Sequence, residues 1–206
     1  PAWAGSTSKF VISSGQLRLM APAVSGDAYL STPSRSIDSA TWEFFVRMDF
    51  NPSSTNYANI YLTSDQADLS GPLNGYFVML GNTNDEISLY KQSGTTKTKI
   101  IDGTDGKLNL ALVTAVVRVT RDAGGNWELL SDVGSTGSFT SEGFVADLST
   151  MSSQYSGVYC LYSSTRSDKF YFDNFLVQGD PFTDNVPPAL DSLKVLSSRT
   201  LRLSFD

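Results

Sequence analysis

The chain has 206 residues, a formal net charge of −6, no histidine, one cysteine, and 17 aspartates against four glutamates. Without an imidazole, neither a Ser-His-Asp triad nor a Cys-His pair can form, and zinc, copper and non-haem iron lose their usual ligands. The acidic balance and the lack of a basic cluster exclude nucleic acid and direct attraction to an anionic membrane, and no apolar run approaches the length of a membrane span. The chain can still use carboxylate chemistry, bind metals that take oxygen ligands, or recognise partners through aromatic or polar surfaces.

Hydrophobic residues alternate with a period of two nearly everywhere, and turn residues recur every eight to fifteen positions. This pattern predicts an all-β, two-sheet antiparallel β-sandwich. Serine and threonine supply 48 residues, and charged residues only 17%, a composition typical of sheet-rich extracellular proteins. The predicted strands are 9–13, 16–21, 28–32, 40–50, 58–64, 75–81, 86–92, 98–102, 112–121, 126–132, 157–163 and 169–178.

The strand at 40–50 shows the alternation most clearly. Trp42, Phe44, Val46 and Met48 share one face, which we expect to lie in the core. The other face carries Glu43, Phe45, Arg47 and Asp49, and we expect Glu43 and Arg47 to pair with cross-strand neighbours.

The last strand of the main body, two lysines and the single cysteine each carry a further prediction. The strand at 169–178 is apolar on both faces and is predicted to be central in its sheet, with Asp173 among aromatic residues. Lys97 and Lys99 are expected to lie on a solvated strand edge. Cys160 is expected to be a small buried hydrophobe.

The composition changes after Gly179. Residues 180–188 are rich in proline and aspartate and predict a linker. Residues 189–206 contain two further predicted strands, which are too few to bury a core alone. We therefore predict a domain at 1–179, a linker at 180–188, and the first strands of a truncated second β-domain at 189–206.

A series of short motifs runs along the main body: Trp3, Phe-Val-Ile at 10–12, Gly-Gln-Leu-Arg-Leu at 15–19, Trp-Glu-Phe at 42–44, Gly-Tyr-Phe at 75–77, Ile-Ser-Leu-Tyr at 87–90, Val-Arg-Val-Thr-Arg at 117–121, Gly-Asn-Trp at 125–127 and Phe-Tyr-Phe-Asp-Asn-Phe at 170–175. Their order and spacing resemble the concanavalin A-like lectin/glucanase (laminin G-like) jelly roll. The resemblance is to the version found in large secreted bacterial surface proteins, where a bacterial Ig-like domain follows. It implies a sandwich of two antiparallel sheets with carbohydrate recognition or adhesion as the usual role.

Sugar binding uses flat aromatic side chains flanked by polar groups that fix orientation. The predicted ligand-binding residues are Phe45, Tyr61, Arg47, Asn59 and Trp127, with Phe45 and Tyr61 preferred because each interrupts a polar strand face. The alternative is that these aromatic residues simply pack under loops, since aromatic residues are common in strands.

One structural calcium ion is a candidate cofactor. The resemblance suggests a site where the first and last strands meet, with Asp27 and Asp173 at the matching positions; a backbone amide or an arginine is the alternative partner of Asp173. Catalysis is not expected. The glucanase carboxylate motif is missing, and Glu43 and Asp49 would lie about 20 Å apart on one strand.

The sequence thus predicts a non-catalytic, extracellular carbohydrate-binding or adhesion module of a larger bacterial surface protein. Its expected partners are a glycan or polysaccharide and neighbouring domains of the same chain. Two alternatives stay open: a structural spacer without a ligand, and a glycoside hydrolase with an atypical pair of carboxylates.

Overall fold

The structure is a computed structural model that describes residues 2–149, 153–181, 190–197 and 200–205. Nearly all of these residues belong to strands or to the turns that join them. The strands, in chain order, are β1 (Ala4–Gly5), β2 (Phe10–Ser13), β3 (Gln16–Leu19), β4 (Gly26–Pro33), β5 (Ser36–Met48), β6 (Tyr57–Ser64), β7 (Leu73–Gly81), β8 (Glu86–Gly94), β9 (Thr96–Ile101), β10 (Val113–Arg121), β11 (Asn126–Val133), β12 (Thr140–Ala146), β13 (Tyr155–Tyr162), β14 (Phe170–Pro181), β15 (Leu190–Ser197) and β16 (Thr200–Phe205).

Two antiparallel sheets of seven strands each form a β-sandwich, which confirms the predicted fold class. Sheet A has the order β1-β4-β13-β6-β7-β8-β9, and sheet B has the order β12-β11-β10-β5-β14-β3-β2. Strands β15 and β16 form a separate two-stranded antiparallel sheet. The described part of the chain contains no helix long and apolar enough to cross a membrane.

The core lies between the two sheets, and β5 follows the predicted alternation. Its inward residues Trp42, Phe44 and Val46 are at most 1% exposed, and Trp42 stacks on Trp127 of β11 with ring centroids 5.6 Å apart. On the outward face, Glu43 pairs across the strands with a guanidinium of β10, Arg118, at 2.6 Å, as predicted. Burial of these large side chains supplies the main driving force for folding.

Every predicted strand has a counterpart, but β12 and the two-residue β1 were not predicted. In β12 the charged Glu142 points inward and is buried, whereas Phe144 points outward and is 83% exposed. The register with β11 shifts at Glu142, so Glu142 and Phe144 lie on opposite faces although they are two residues apart, and the period-two signal of the segment is lost.

Strand β14 lies between β5 and β3, in the interior of sheet B as predicted. It continues through Asp180 and Pro181, two residues past the predicted domain boundary, where it pairs with the start of β5. Residues 182–188 of the predicted linker lie outside the described residues. The division into a sandwich domain and a second domain stays a prediction.

Candidate functional site

The outer face of sheet A carries a second, smaller apolar cluster that is rich in tyrosine. The ring of Phe77 is its centre, with Tyr61 at 4.9 Å and Tyr90 stacked at 5.2 Å between centroids. We call this surface the tyrosine face and define it by its aromatic residues and one amide: Tyr29, Tyr57, Asn59, Tyr61, Phe77, Tyr90 and Tyr159.

Part of the tyrosine face is covered by the connection between β6 and β7, residues 65–72, which we call the cover loop. Its Leu69 is 1% exposed and packs in the aromatic cluster. A Cβ on Gly157 of β13 would lie 2.8 Å from Leu69 Cδ1 and 2.1 Å from the Leu30 carbonyl oxygen, so only glycine fits there. The cover loop and the strands beneath it therefore pack without a gap at this point.

Covered and accessible aromatic residues occupy different parts of the face. Tyr61 is 1% exposed, and its hydroxyl donates to Gln92 Oε1 at 2.8 Å. The rings of Tyr29, Tyr57 and Tyr159 stay partly exposed and form the accessible part. Strands β6 and β7 are thus buried on both faces, by the core on one side and by this cluster on the other.

Asn59 lies in the middle of the tyrosine face. It stands opposite Tyr159 in the β6–β13 register and opposite Met79 in the β6–β7 register, and Tyr57 and Tyr61 flank it on its own strand. The residue is fully buried, and neither its Oδ1 nor its Nδ2 has a hydrogen-bond partner within 3.5 Å among the described residues, although the amide lies near enough to the Tyr61 hydroxyl to act on its pKa. An unsatisfied buried polar group costs about 1–3 kcal/mol, so this amide calls for an explanation.

Charged groups border the accessible tyrosines. The Tyr159 hydroxyl faces Asp27 Oδ2 at 3.4 Å, and burial together with that carboxylate raises the pKa of Tyr159. Lys97 extends from β9 so that its Nζ lies 5.4 Å from the Phe77 centroid and 5.9 Å from that of Tyr159, and partial burial lowers the pKa of its amine. At neutral pH the tyrosine hydroxyls remain protonated donors.

The structure separates the five predicted ligand-binding residues into three places. Asn59 and Tyr61 lie together on the tyrosine face. Phe45 and Arg47 lie on the outer face of sheet B, where the Arg47 guanidinium bonds to Asp49 at 2.6 Å and stacks over the ring of Tyr171 at 4.6 Å.

Trp127 lies in a third place, inside the sandwich. Trp127 was predicted to bind a ligand, but its side chain is fully buried against Trp42 and Tyr76 and is not accessible to one. In β11, Trp127 and Leu129 are two residues apart and both point inward, so the indole of Trp127 lies in the core.

The predicted calcium ligands lie in different sheets, Asp27 in β4 of sheet A and Asp173 in β14 of sheet B. Asp173 Oδ1 accepts the backbone N–H of Asn174 at 2.8 Å, the backbone amide partner that was the alternative. A different acidic group, Glu86, Asp102 and Asp105, has carboxylate oxygens within 4.8 Å of one another. Glu86 is distant in sequence from both aspartates, so no local motif reveals this group.

Lys99 occupies part of this acidic group. Its ammonium lies 2.5 Å from Glu86 Oε1 and 2.6 Å from Asp102 Oδ1. Glu86 Oε2 is buried and has no hydrogen-bond partner among the described residues, and burial raises the pKa of Glu86. The donors are the hard oxygens that calcium prefers, so they fit that ion if the lysine moves aside.

Comparison with models of known families and with curated proteins found no match. Solved structures do match. The chain is similar to a carbohydrate-binding module, CBM66, from Bacillus subtilis, with 13% identity and a TM-score of 0.60 over 86% of this chain and 95% of that one. It is also similar to the exoplasmic/lumenal domain of VIP36 in a Ca²⁺/mannose-bound form, with 12% identity and a TM-score of 0.65 over 100% of this chain and 89% of that one.

A third similar structure is a legume lectin-like domain from Entamoeba histolytica, with 10% identity and a TM-score of 0.61 over 87% of this chain and 89% of that one. At these identities the likeness concerns the fold. The chain has the β-sandwich fold of these lectin and carbohydrate-binding modules, which confirms the fold that the sequence resemblance implied.

Proposed function

We propose that this protein is a non-catalytic carbohydrate-binding module and that the tyrosine face is its binding surface. The observation that carries the proposal is Asn59, a buried amide with two unpaired polar atoms between tyrosine rings. We expect the partly exposed rings of Tyr57 and Tyr159 to move apart so that a sugar hydroxyl reaches Asn59 and supplies both a donor and an acceptor, while the rings offer apolar surface to the pyranose. The fold shared with sugar-binding modules supports this interpretation.

Titration calorimetry, guided by a glycan array, tests the binding surface. We expect the protein to bind at least one glycan and Tyr159→Ala to weaken that binding at least about tenfold, as loss of a central aromatic anchor does. Tyr171→Ala is the matched control, a half-buried tyrosine on the outer face of sheet B. Equal losses in both variants, or no glycan bound at all, contradict the proposal, and the second outcome favours a structural spacer.

A glycoside hydrolase is the second candidate function, and one observation favours it. The oxygens of Glu86, Asp102 and Asp105 lie within 4.8 Å of one another, and retaining glycosidases hold their two carboxylates about 5 Å apart. The ion pairs to Lys99 argue against catalysis, because they occupy the oxygens that would react. Release of reducing sugar by the wild type, lost in Glu86→Gln, would favour the hydrolase; we expect none.

The same acidic group is our candidate calcium site. When bound, calcium would supply a cross-link between the start of β8 and the segment after β9, through Glu86, Asp102 and Asp105. We expect calcium to raise the unfolding temperature of the wild type but not of Asp105→Asn, since binding to the folded state alone is stabilising. Asp191→Asn, an exposed residue of β15, is the control. An unfolding temperature that calcium leaves unchanged contradicts the site.

We further propose that the module acts outside the cell, secreted or at a bacterial surface, where it binds a glycan or positions neighbouring domains of the same chain. The serine- and threonine-rich composition and the likeness to an exoplasmic/lumenal lectin domain support this location. Labelling of intact cells with an antibody against the sandwich tests it.

A further inference from the structure

An open groove runs across the outer face of sheet B, on the other side of the sandwich from the tyrosine face. Its volume is about 620 Å³, within the range of small-molecule sites. The groove crosses four neighbouring strands, because Thr41, Thr120, Glu128 and Phe144 stand opposite one another in the registers of β5, β10, β11 and β12. Three strand spacings make it about 14 Å long.

Phe144 forms one side of the groove. Its ring is 83% exposed and has no aromatic partner among the described residues. A large apolar side chain left this open on an edge strand loses the stabilisation that burial would give it. A flat exposed ring beside polar groups is the arrangement that stacks on the apolar face of a pyranose.

The floor of the groove offers unused hydrogen-bonding groups. The hydroxyls of Thr41 and Thr120 and the carboxylate of Glu128 make no hydrogen bond or ion pair with any described residue. Asn126 is held in place at the wall, because its backbone N–H and its Nδ2 both donate to Asp122, at 2.9 and 2.8 Å. Free groups on a rigid sheet beside a fixed amide form a preorganised polar surface.

The backbone is irregular where β5 enters the groove. Ser39 has φ 46°, a left-handed conformation that is rare for a residue other than glycine, and its hydroxyl has no described partner. Strained backbone of this kind persists where the surrounding structure enforces it, and it concentrates at ligand-binding sites. The strain brings a further hydroxyl to the groove.

The charges of the groove limit the class of ligand. Among the described residues that line it, Asp122 and Glu128 are acidic and Arg121 alone is cationic. Arg121 is 5% exposed and donates to the Ile37 carbonyl oxygen and to Asp38. An anionic sugar would therefore meet carboxylates and no free cation. We infer that this groove is a second binding site, for a neutral pyranose oligosaccharide, and that it works independently of the tyrosine face.

Amide chemical-shift perturbation by nuclear magnetic resonance tests the inference. The probes are cellohexaose, xylohexaose, mannohexaose and laminarihexaose at millimolar concentration, with an oligogalacturonate as the anionic counterpart. We expect at least one neutral probe to shift the amides of Thr41, Thr120 and Glu128, and the oligogalacturonate to leave them unmoved. The inference is wrong if only the anionic probe shifts these amides, or if none of the probes shifts them.

Variants separate this site from the tyrosine face. Phe144→Ala should weaken the groove response at least about tenfold. Ile12→Ala, which removes another exposed apolar side chain at the opposite edge of sheet B, should leave it unchanged. Tyr159→Ala should also leave it unchanged, so the proposed function can fail while the groove still binds. A Phe144→Ala protein that binds like the wild type contradicts the inference.

Discussion

Asn59 places a cost on the folded state that its immediate neighbours Tyr57, Tyr61 and Tyr159 do not share. Its amide is buried with both polar atoms unpaired, while the smaller cluster around it is apolar and aromatic. Leucine has nearly the same size and needs no partners. The free energy of unfolding and the affinity for ligand should therefore respond in opposite directions when this residue is changed.

We expect Asn59→Leu to raise the free energy of unfolding by about 1–2 kcal/mol, because it removes an unsatisfied buried group. Glycan binding should fall at least about tenfold, measured by calorimetry beside urea unfolding. The control is Asn109→Leu, an exposed amide whose Oδ1 accepts from Asn51 at 2.8 Å, where no stabilisation is expected. A large loss of stability in Asn59→Leu would mean that the amide has a partner in the folded protein.

Strand β12 is attached to the sandwich by a buried polar contact in addition to its pairing with β11 and the packing of Val145 against the core. The Glu142 side chain is buried and accepts hydrogen bonds from Lys107, from the Ser131 hydroxyl and from the Thr104 N–H. Burial opposes ionisation, but these donors outweigh it and lower the pKa of Glu142. A lowered pKa contributes stability that is present above the unfolded value of about 4.5 and lost as the pH falls through the folded value.

Glu142→Gln should lower the free energy of unfolding by about 2 kcal/mol at pH 7, since it leaves Lys107 without its carboxylate. The difference between variant and wild type should shrink as the pH falls below about 4.5 and through the lowered pKa of Glu142, where the wild-type carboxylate becomes protonated. Urea unfolding across that range measures both effects. The control is Glu128→Gln, on the neighbouring strand and without a described ion pair, and we expect its difference from the wild type to stay the same over this range. A difference for Glu142→Gln that is constant at all pH values would contradict the stabilising role of the Glu142 carboxylate.

Local sequence patterns predict the strands well because alternation is a property of a few consecutive residues. In β5 and β10 one face meets the core and the other meets water, so the pattern is complete. It fails where the partner comes from elsewhere in the chain. Tyr61 is buried because the cover loop packs over it, and Glu86 meets Asp102 and Asp105 only after β8 and β9 have paired. Asn59 was predicted as a polar neighbour of Tyr61, but not that it is buried without a partner.

At the scale of the whole molecule, the hairpin of β15 and β16 forms its own sheet, whereas the fourteen other strands form the sandwich. A chain truncated after Pro181 should therefore fold, with an unfolding temperature within a few degrees of the full chain. Calorimetric unfolding of the two chains measures this. A truncated chain that fails to fold would contradict the predicted division into domains and make the hairpin part of the sandwich.

The cover loop can change in length or sequence, and with it the accessible part of the tyrosine face, while the core stays the same. It joins two adjacent antiparallel strands and contributes Leu69 to the cluster on the outer face, while the main core lies on the other side of the sheet. Loop closure is insensitive to length, since doubling a loop costs only about 0.6 kcal/mol. Shorter, longer or differently composed loops at this position would uncover or block Tyr61 and Phe77 while the sandwich folds as before. Chains that share this scaffold can therefore diverge in specificity through one eight-residue segment, and a library randomised at 65–72 is the natural starting point for selecting new binders.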